Sequence, residues 1–131
     1  QKRIIEDFLP KFLKKPVLLY LGDTAKKTLI IDEKFLNKIG FKELKHDMLP
    51  DVLAFDSFDK TIYLIEAVHS SNPINQLRYI QLRKFTNKCK FEIKMISAFK
   101  NRENFRKYCI NLSWDTSVWL AEEPHHIINF I

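Results

Sequence analysis

Two apolar segments joined by a short turn constrain the fold of this chain more than any other feature. Residues 49–56 and 61–68 each have the composition of a buried strand, and residues 57–60 between them are mostly polar. Each segment carries one acidic side chain at the end away from the turn, Asp51 in the first and Glu66 in the second. The sequence therefore predicts an antiparallel hairpin that places two carboxylates side by side.

The two carboxylates have two interpretations. An ionised carboxylate within an apolar run is costly to bury unless something compensates its charge. Two of them on paired strands suit a divalent cation, and Mg²⁺ favours sites of one or two protein carboxylates completed by water and substrate phosphate. In the alternative, Asp51 only caps its strand and Glu66 pairs with a nearby Arg or Lys. The spacing alone leaves both interpretations open.

The charge of the chain favours a polyanionic partner. Lys and Arg exceed Asp and Glu by 22 to 16 among 131 residues, for a net charge of +6. Such an excess suits nucleic acid, although it also serves solubility. With 46% hydrophobic and 29% charged residues, the composition is that of a globular domain and not of a disordered chain. One domain is the simplest organisation at this length.

The cysteines give an expectation about the cellular compartment, and the first residue gives one about whether the sequence is part of a longer protein. Cys89 and Cys109 lie far apart without metal-ligand spacing, so we expect buried free thiols in a cytoplasmic protein. No apolar run approaches the roughly 18 residues of a membrane span, and no signal peptide is visible. The chain does not begin with Met, so we expect a piece of a longer protein.

The rest of the pattern alternates helices with strands. Asp32 and Asn101 are predicted helix N-caps, Gly40 ends the helix that Asp32 begins, and Trp114 and Trp119 are expected in the core. Helices are predicted over residues 4–13, 33–39, from about 74, and 102–111, and further strands over 17–21, 91–99 and 116–120. This order predicts an α/β fold in which helices cover a mixed central sheet.

Histidines and serines give weaker signals. His69 directly follows the second acidic segment and is the histidine of most interest, whereas His46 and the pair at 125–126 are typical of exposed turns. Ser70 and Ser71 have no visible His/Asp framework of a nucleophilic triad.

Two groups of basic residues are candidates for contact with DNA. Residues 22–27 mimic a phosphate loop only superficially, because the glycine spacing is absent. They do contain Lys26 and Lys27, which could touch a DNA backbone. The helix after the hairpin carries Arg78, Arg83 and Lys84, which form either a DNA-contacting face or a solvated one.

Several blocks of the sequence resemble one enzyme family. They are residues 22–27 (GDTAKK), 49–52 (LPDV), 64–68 (LIEAV), 98–99 with 105–108, and 114–122. In this order they cover most of the chain and resemble the C-terminal catalytic domain of the BsuBI/PstI type II restriction endonucleases. The resemblance implies that residues 1–131 form a single PD-(D/E)XK nuclease domain with an αβββαβ core. The N-terminal DNA-recognition region of the family would be absent.

The resemblance also implies an activity. Family members cleave duplex DNA at short palindromic sites with Mg²⁺, usually as homodimers, and a partner methyltransferase protects the host. Asp51 and Glu66 match the acidic positions of the nuclease motif, and the backbone carbonyl of Ala67 would complete the Mg²⁺ coordination. Val68 stands where the general motif has a lysine. Arg78 is our first candidate for the missing cation.

The other candidates for that role are Lys84, His69, Ser70 and a second Mg²⁺. We expect DNA contacts from Lys26, Lys27, Ser70, Arg83 and Lys84. Three other functions remain open: a repair or junction-cleaving nuclease on the same fold, a DNA-binding remnant that lost its activity with the lysine, and a basic globular protein with no nucleic-acid role.

Overall fold

A seven-stranded mixed sheet runs through the chain. The computed structural model describes residues 1–22, 28–41, 48–69 and 73–131, and within them the strand order is β2-β1-β3-β4-β5-β6-β7. The strands are β1 (Pro16–Gly22), β2 (Thr28–Ile31), β3 (Val52–Asp56), β4 (Thr61–Val68), β5 (Glu92–Phe99), β6 (Thr116–Leu120) and β7 (Ile127–Phe130). The helices are α1 (Leu9–Phe12), preceded by a π-helical turn (Ile4–Phe8), α2 (Glu33–Lys38), α3 (Gln76–Phe85) and α4 (Arg102–Tyr108), which a 3₁₀ turn (Cys109–Asn111) extends.

The centre of the sheet combines both strand directions. β4 pairs antiparallel with β3 and parallel with β5, and β5 pairs parallel with β6. The outer pairs, β1 with β2, β1 with β3 and β6 with β7, are antiparallel. The predicted α/β fold and its mixed sheet are therefore confirmed.

Helices cover both faces of this sheet because side chains alternate along each strand. On one face the N-terminal helical segment packs Phe8 against Trp119, with ring centroids 5.6 Å apart. On the other face α2 and α3 contribute Leu36 and Leu82 to a second cluster. α4 contributes Tyr108 to a third cluster. Glu66 points toward the face that α3 covers, since Leu64, two residues before it on β4, belongs to that cluster.

The predicted hairpin and helix ends are confirmed. β3 and β4 pair with Val52 opposite Ile65, and residues 57–60 form the turn. The carboxylate of Asp32 and the side-chain oxygen of Asn101 accept hydrogen bonds from backbone N–H groups in the first turns of α2 and α4. Gly40 follows α2 with a φ of 105°, a backbone conformation that favours glycine.

Several expectations are wrong. Trp114 is 70% exposed because it lies in the turn before β6 and not on the strand, whereas Trp119 is buried as predicted. Cys109 is exposed because it begins the 3₁₀ turn at the surface, and Cys89 is only partly buried, although both are free thiols. The edge strands β2 and β7 were not predicted. None of the helices described in the structure is long and apolar enough to cross a membrane.

Candidate active site

Asp51 and Glu66 face each other at one end of the β3–β4 hairpin. Asp51 lies in the bend just before β3, and because Val52 pairs with Ile65, Asp51 falls opposite Glu66. Its carboxylate Oδ2 accepts a hydrogen bond from the backbone N–H of Ala67 at 2.7 Å. The carbonyl oxygen of Asp51 accepts another from the N–H of Gly22, at 3.0 Å. Contacts from β4 and β1 therefore fix the position of Asp51.

Arg78 on α3 reaches the same point from the helical face. Its Nη2 lies 2.9 Å from Oε1 of Glu66 and 3.1 Å from the carbonyl oxygen of Leu49. Both side chains of the ion pair are only 19% exposed. The alternative expectation that Glu66 pairs with a nearby basic residue is thus confirmed. The role of Asp51 and Glu66 in metal binding stays a prediction.

The start of α3 is anchored in a way that positions Arg78. Asn75 caps the helix by accepting a hydrogen bond from the backbone N–H of Arg78 itself, at 2.8 Å. The N–H of Ile74 donates to the hydroxyl of Ser97 at 3.1 Å. Ser97 is fully buried and lies beside Glu66 in the parallel register of β4 and β5. Sequence reasoning missed Ser97, because only the strand pairing brings it next to the acidic residue.

Burial dominates the electrostatics of Glu66. Removal from water raises the pKa of the Glu66 carboxyl above its usual value, and the negative charge of Asp51 raises it further. The guanidinium of Arg78 acts in the opposite direction, through its charge and its hydrogen bond, but does not fully offset the burial. A cation close to both carboxylates would favour their ionised forms.

The donor set fits a hard divalent cation. In the part of the chain that the structure describes, no cluster of three or more His, Cys, Asp or Glu side chains could hold a metal. Two carboxylates are nevertheless the number that Mg²⁺ commonly takes from a protein when substrate phosphate completes the site. The hydrogen bond from Ala67 uses one oxygen of Asp51, so the second can face a cation.

Val68 places a buried apolar side chain at the position of the motif lysine. Its side chain is 1% exposed and lies in an apolar cluster with Phe99, Tyr108, Val118 and Leu120. The packing of α4 against β5 and β6 thus explains the apolar residue here. Arg78 brings positive charge to the acidic pair from α3 instead.

The other predicted site residues within the described ranges have different surroundings. Arg83 forms an ion pair with Asp115, with 3.0 Å between Nη2 and Oδ2, and contacts the hydroxyl of Tyr79. Lys84 is exposed on α3, and His69 is exposed just beyond the end of β4. Lys26, Lys27, Ser70, Ser71 and His46 lie outside the described residues.

His69 instead lines a pocket with two lysines that sequence reasoning missed. Lys100 and Lys107 share this pocket of about 520 Å³ with His69. Lys100 directly follows β5, and since the carboxyl ends of parallel strands meet at one edge, β4 and β5 bring it close to His69. That topology was the signal that could have identified Lys100.

Comparison with known proteins identifies the family. The whole chain, residues 1–131, matches the model of the BsuBI/PstI restriction endonuclease domain. The chain belongs to this family. The structure of the SdaI restriction endonuclease is similar with a TM-score of 0.92 at 30% identity, over 99% of this chain and 41% of the other. The restriction-endonuclease fold that the resemblance implied is therefore confirmed.

Two curated relatives are restriction enzymes. The type II restriction enzyme BsuBI of Bacillus subtilis is 37% identical over 129 residues, which are 98% of this chain and 41% of that protein. The type II restriction enzyme AplI of Arthrospira platensis (strain NIES-39 / UTEX 3086 / IAM M-135) is 26% identical over 138 residues, which are 98% of this chain and 42% of that protein. The chain thus spans about two fifths of the length of these relatives.

Proposed function

We propose that this chain is the catalytic domain of a type II restriction endonuclease, which hydrolyses phosphodiester bonds at a short specific site in duplex DNA with Mg²⁺. The observation that carries the proposal is the Asp51–Glu66 pair at the end of the hairpin, with the Arg78 guanidinium 2.9 Å from Glu66. Family membership over the whole chain supports it.

The chain provides a site in which Asp51, Glu66 and the carbonyl of Ala67 would hold the metal ion. When bound, Mg²⁺ supplies positive charge at the scissile phosphate and lowers the pKa of a water molecule. The N–H of Ala67 holds the Asp51 carboxylate in one orientation, so that little reorganisation is needed on binding. The buried position of Glu66 excludes water, which strengthens its attraction to a cation.

Arg78 is our candidate for stabilising the charge that builds on the phosphate. A guanidinium presents a planar fork of donors that matches a phosphate, and such preorganised donors contribute strongly to transition-state stabilisation. Arg78 lies within hydrogen-bonding distance of Glu66, whereas Lys84 is roughly 9 Å further along the helix by its rise per residue. His69, Ser70, Lys84 and a second Mg²⁺ are the alternatives.

The proposal extends to the partners of the whole protein. The net charge of +6 supports binding of a DNA backbone, with Lys26, Lys27, Ser70 and Lys84 as contacts. Arg83 would have to leave Asp115 to take part. Membership of the family supports a homodimer, a cognate methyltransferase, and a DNA-recognition region outside these residues, since the relatives are more than twice as long.

The test is cleavage of phage DNA by the protein, with Mg²⁺ and with a chelator, followed by mapping of the ends. The proposal predicts discrete fragments with one common terminal sequence that form only with the metal. Nicks at branched or damaged DNA would show a repair or junction nuclease instead. Salt-sensitive binding without cleavage would show a DNA-binding remnant, and no binding at low salt would remove the nucleic-acid role.

A further inference from the structure

A basic pocket lies where β4 and β5 end and α4 begins, past Glu66 along β4. His69 comes from the end of β4, Lys100 from the end of β5, and Lys107 from the last turn of α4. The volume of about 520 Å³ is larger than one phosphate group needs. Glu103 is the acidic residue of its lining, so the balance of charge in the pocket is positive.

The backbone and side-chain contacts of the two lysines hold them on rigid elements. The carbonyl of Lys100 accepts a hydrogen bond from the N–H of Glu122 at 3.2 Å, which extends the β5–β6 pairing by one residue. The ammonium of Lys107 lies 5.4 Å from the centre of the Tyr108 ring, and Tyr108 is buried. Both lysine side chains are exposed, so they can meet a ligand that approaches from solvent.

The distance from the acidic pair suits a nearby phosphate of the same nucleic acid. His69 follows Glu66 by three residues on a strand, a separation of about 10 Å. Each strand of B-DNA carries one phosphate per roughly 3.4 Å along the helix axis. A separation of about 10 Å therefore places the pocket within reach of a neighbouring phosphate of the same DNA strand.

We propose that Lys100 and Lys107 bind a backbone phosphate of the DNA strand that enters the active site, with an imidazole N–H of His69 as a further donor. This inference rests on the proposed function, because it takes duplex DNA as the ligand. Its consequence is a second contact that fixes the register of the strand relative to Asp51 and Glu66. Such phosphate contacts position DNA without reading its sequence.

The experiment compares two double variants that remove the same charge. K100Q/K107Q changes the pocket, whereas K88Q/K90Q changes exposed lysines just before β5, at the opposite end of that strand. Binding of a mixed-sequence duplex is measured in chelator, so that no cleavage occurs, over a series of salt concentrations. We expect K100Q/K107Q to bind about tenfold more weakly than the parent, since it loses charge-assisted hydrogen bonds to a phosphate.

The salt dependence identifies the lost contact. For K100Q/K107Q the slope of log affinity against log salt concentration should become flatter by about 1, as expected for the loss of one phosphate contact. K88Q/K90Q should keep more of the parent's affinity and more of its slope. Equal losses in both variants, or no loss in K100Q/K107Q, would overturn the inference. Thermal melting of each variant shows that it is folded.

Cleavage with Mg²⁺ separates this inference from the proposed function. A parent protein that binds DNA through the pocket but does not cleave it would contradict the proposed function and still support phosphate binding in the pocket. If the parent cleaves specifically and K100Q/K107Q binds and cuts equally well, only the inference of phosphate binding in the pocket is contradicted. A parent protein that binds no duplex DNA at low salt would overturn the inference that the pocket binds a DNA phosphate.

Discussion

Glu66 and Arg78 form an ion pair that is only 19% exposed on each side, and this burial determines how the candidate site responds to pH. Burial raises the pKa of Glu66, and the charge of Arg78 partly counteracts that rise. The carboxylate must be ionised to bind a metal. We therefore expect cleavage to decline as the pH falls through the raised pKa of Glu66.

Arg78→Ala should alter both the rate and the pH profile of cleavage. Loss of the guanidinium removes the charge that lowers the Glu66 pKa, so the acid limb should move to higher pH. The rate on the plateau should fall by about 10²–10³-fold if Arg78 stabilises the transition state. The measurement is single-turnover cleavage over a pH series. Arg78→Lys is the matched control, since it keeps the charge but loses the planar fork. An unchanged rate for Arg78→Ala would remove Arg78 from the mechanism.

Glu66→Gln should increase stability while it abolishes cleavage. The folded state holds a proton on Glu66 more tightly than the unfolded chain does, so the buried charge costs stability at neutral pH. As the pH falls through the raised pKa, the parent becomes protonated and the advantage of the variant should shrink. Thermal melting of both proteins between neutral and mildly acidic pH measures this. An advantage that grows toward acid would contradict the sign of the effect.

Val68→Lys should not restore a working nuclease motif. The side chain would enter the apolar cluster around Phe99 and Leu120, close to the cations of the basic pocket. Overpacking and burial of a charge predict a loss of about 2 kcal/mol or more in the free energy of unfolding. Urea unfolding measures the loss. Val68→Met, of similar length but uncharged, separates the two causes and should lose less. A Val68→Lys variant as stable as the parent would show that the position tolerates the motif lysine.

At the scale of elements, Asp56 links the hairpin to the connection between α1 and β1. Its fully buried carboxylate accepts hydrogen bonds from the backbone N–H groups of Lys14, Lys15 and Phe58 at 3.0–3.1 Å. Burial tends to raise the pKa of Asp56, but the surrounding backbone N–H groups together, including that of Asp59, lower it. The carboxylate therefore orders the turn that connects β3 to β4.

Asp56→Ala should destabilise the protein by about 2 kcal/mol or more, because three partly buried N–H donors lose their acceptor. Asp59→Asn, in the same turn but exposed, should change stability by less than about 0.5 kcal/mol. Since the pKa of Asp56 is lowered, its contribution is complete above the unfolded value of 3.8 and is lost as the pH falls through the folded value. Urea unfolding at neutral and acidic pH tests both points. Equal losses in the two variants would contradict this role of Asp56.

The elements that could be predicted from sequence are those with local signals. The apolar segments around residues 57–60 identified the hairpin, and the Asp32 and Asn101 caps identified helix starts. The edge strands β2 and β7 have four residues each, and pairing with β1 and β6 stabilises them more than their own pattern does. Short segments of this kind carry little periodic signal.

The candidate site likewise combines features that the sequence predicts with contacts that only tertiary packing creates. The Asp51–Glu66 juxtaposition follows from the spacing of the hairpin, and Arg78 follows from its place one turn inside the next helix. The carbonyl of Leu49 and the hydroxyl of Ser97 are brought in by tertiary packing, as is the pairing of Arg83 with Asp115. No local pattern in the sequence encodes those contacts.

At the scale of the whole molecule, the sheet presents the acidic pair and the basic pocket at neighbouring strand ends. The chain as a whole carries a net charge of +6, which favours approach of a polyanion to the protein. The chain spans only about two fifths of its relatives. The arrangement of charges is consistent with the proposed action of these residues on DNA.

The measurement that tests the central claim most directly is DNA cleavage by Asp51→Asn and Glu66→Gln in Mg²⁺ under single-turnover conditions. Asp51→Asn keeps an oxygen that can accept the hydrogen bond from Ala67, so it removes the charge with little change in structure. The parent should cut duplex DNA into discrete fragments, and each variant should be slower by at least about 100-fold. Cleavage by either folded variant at the rate of the parent would contradict the assignment of Asp51 and Glu66 as the metal-binding pair.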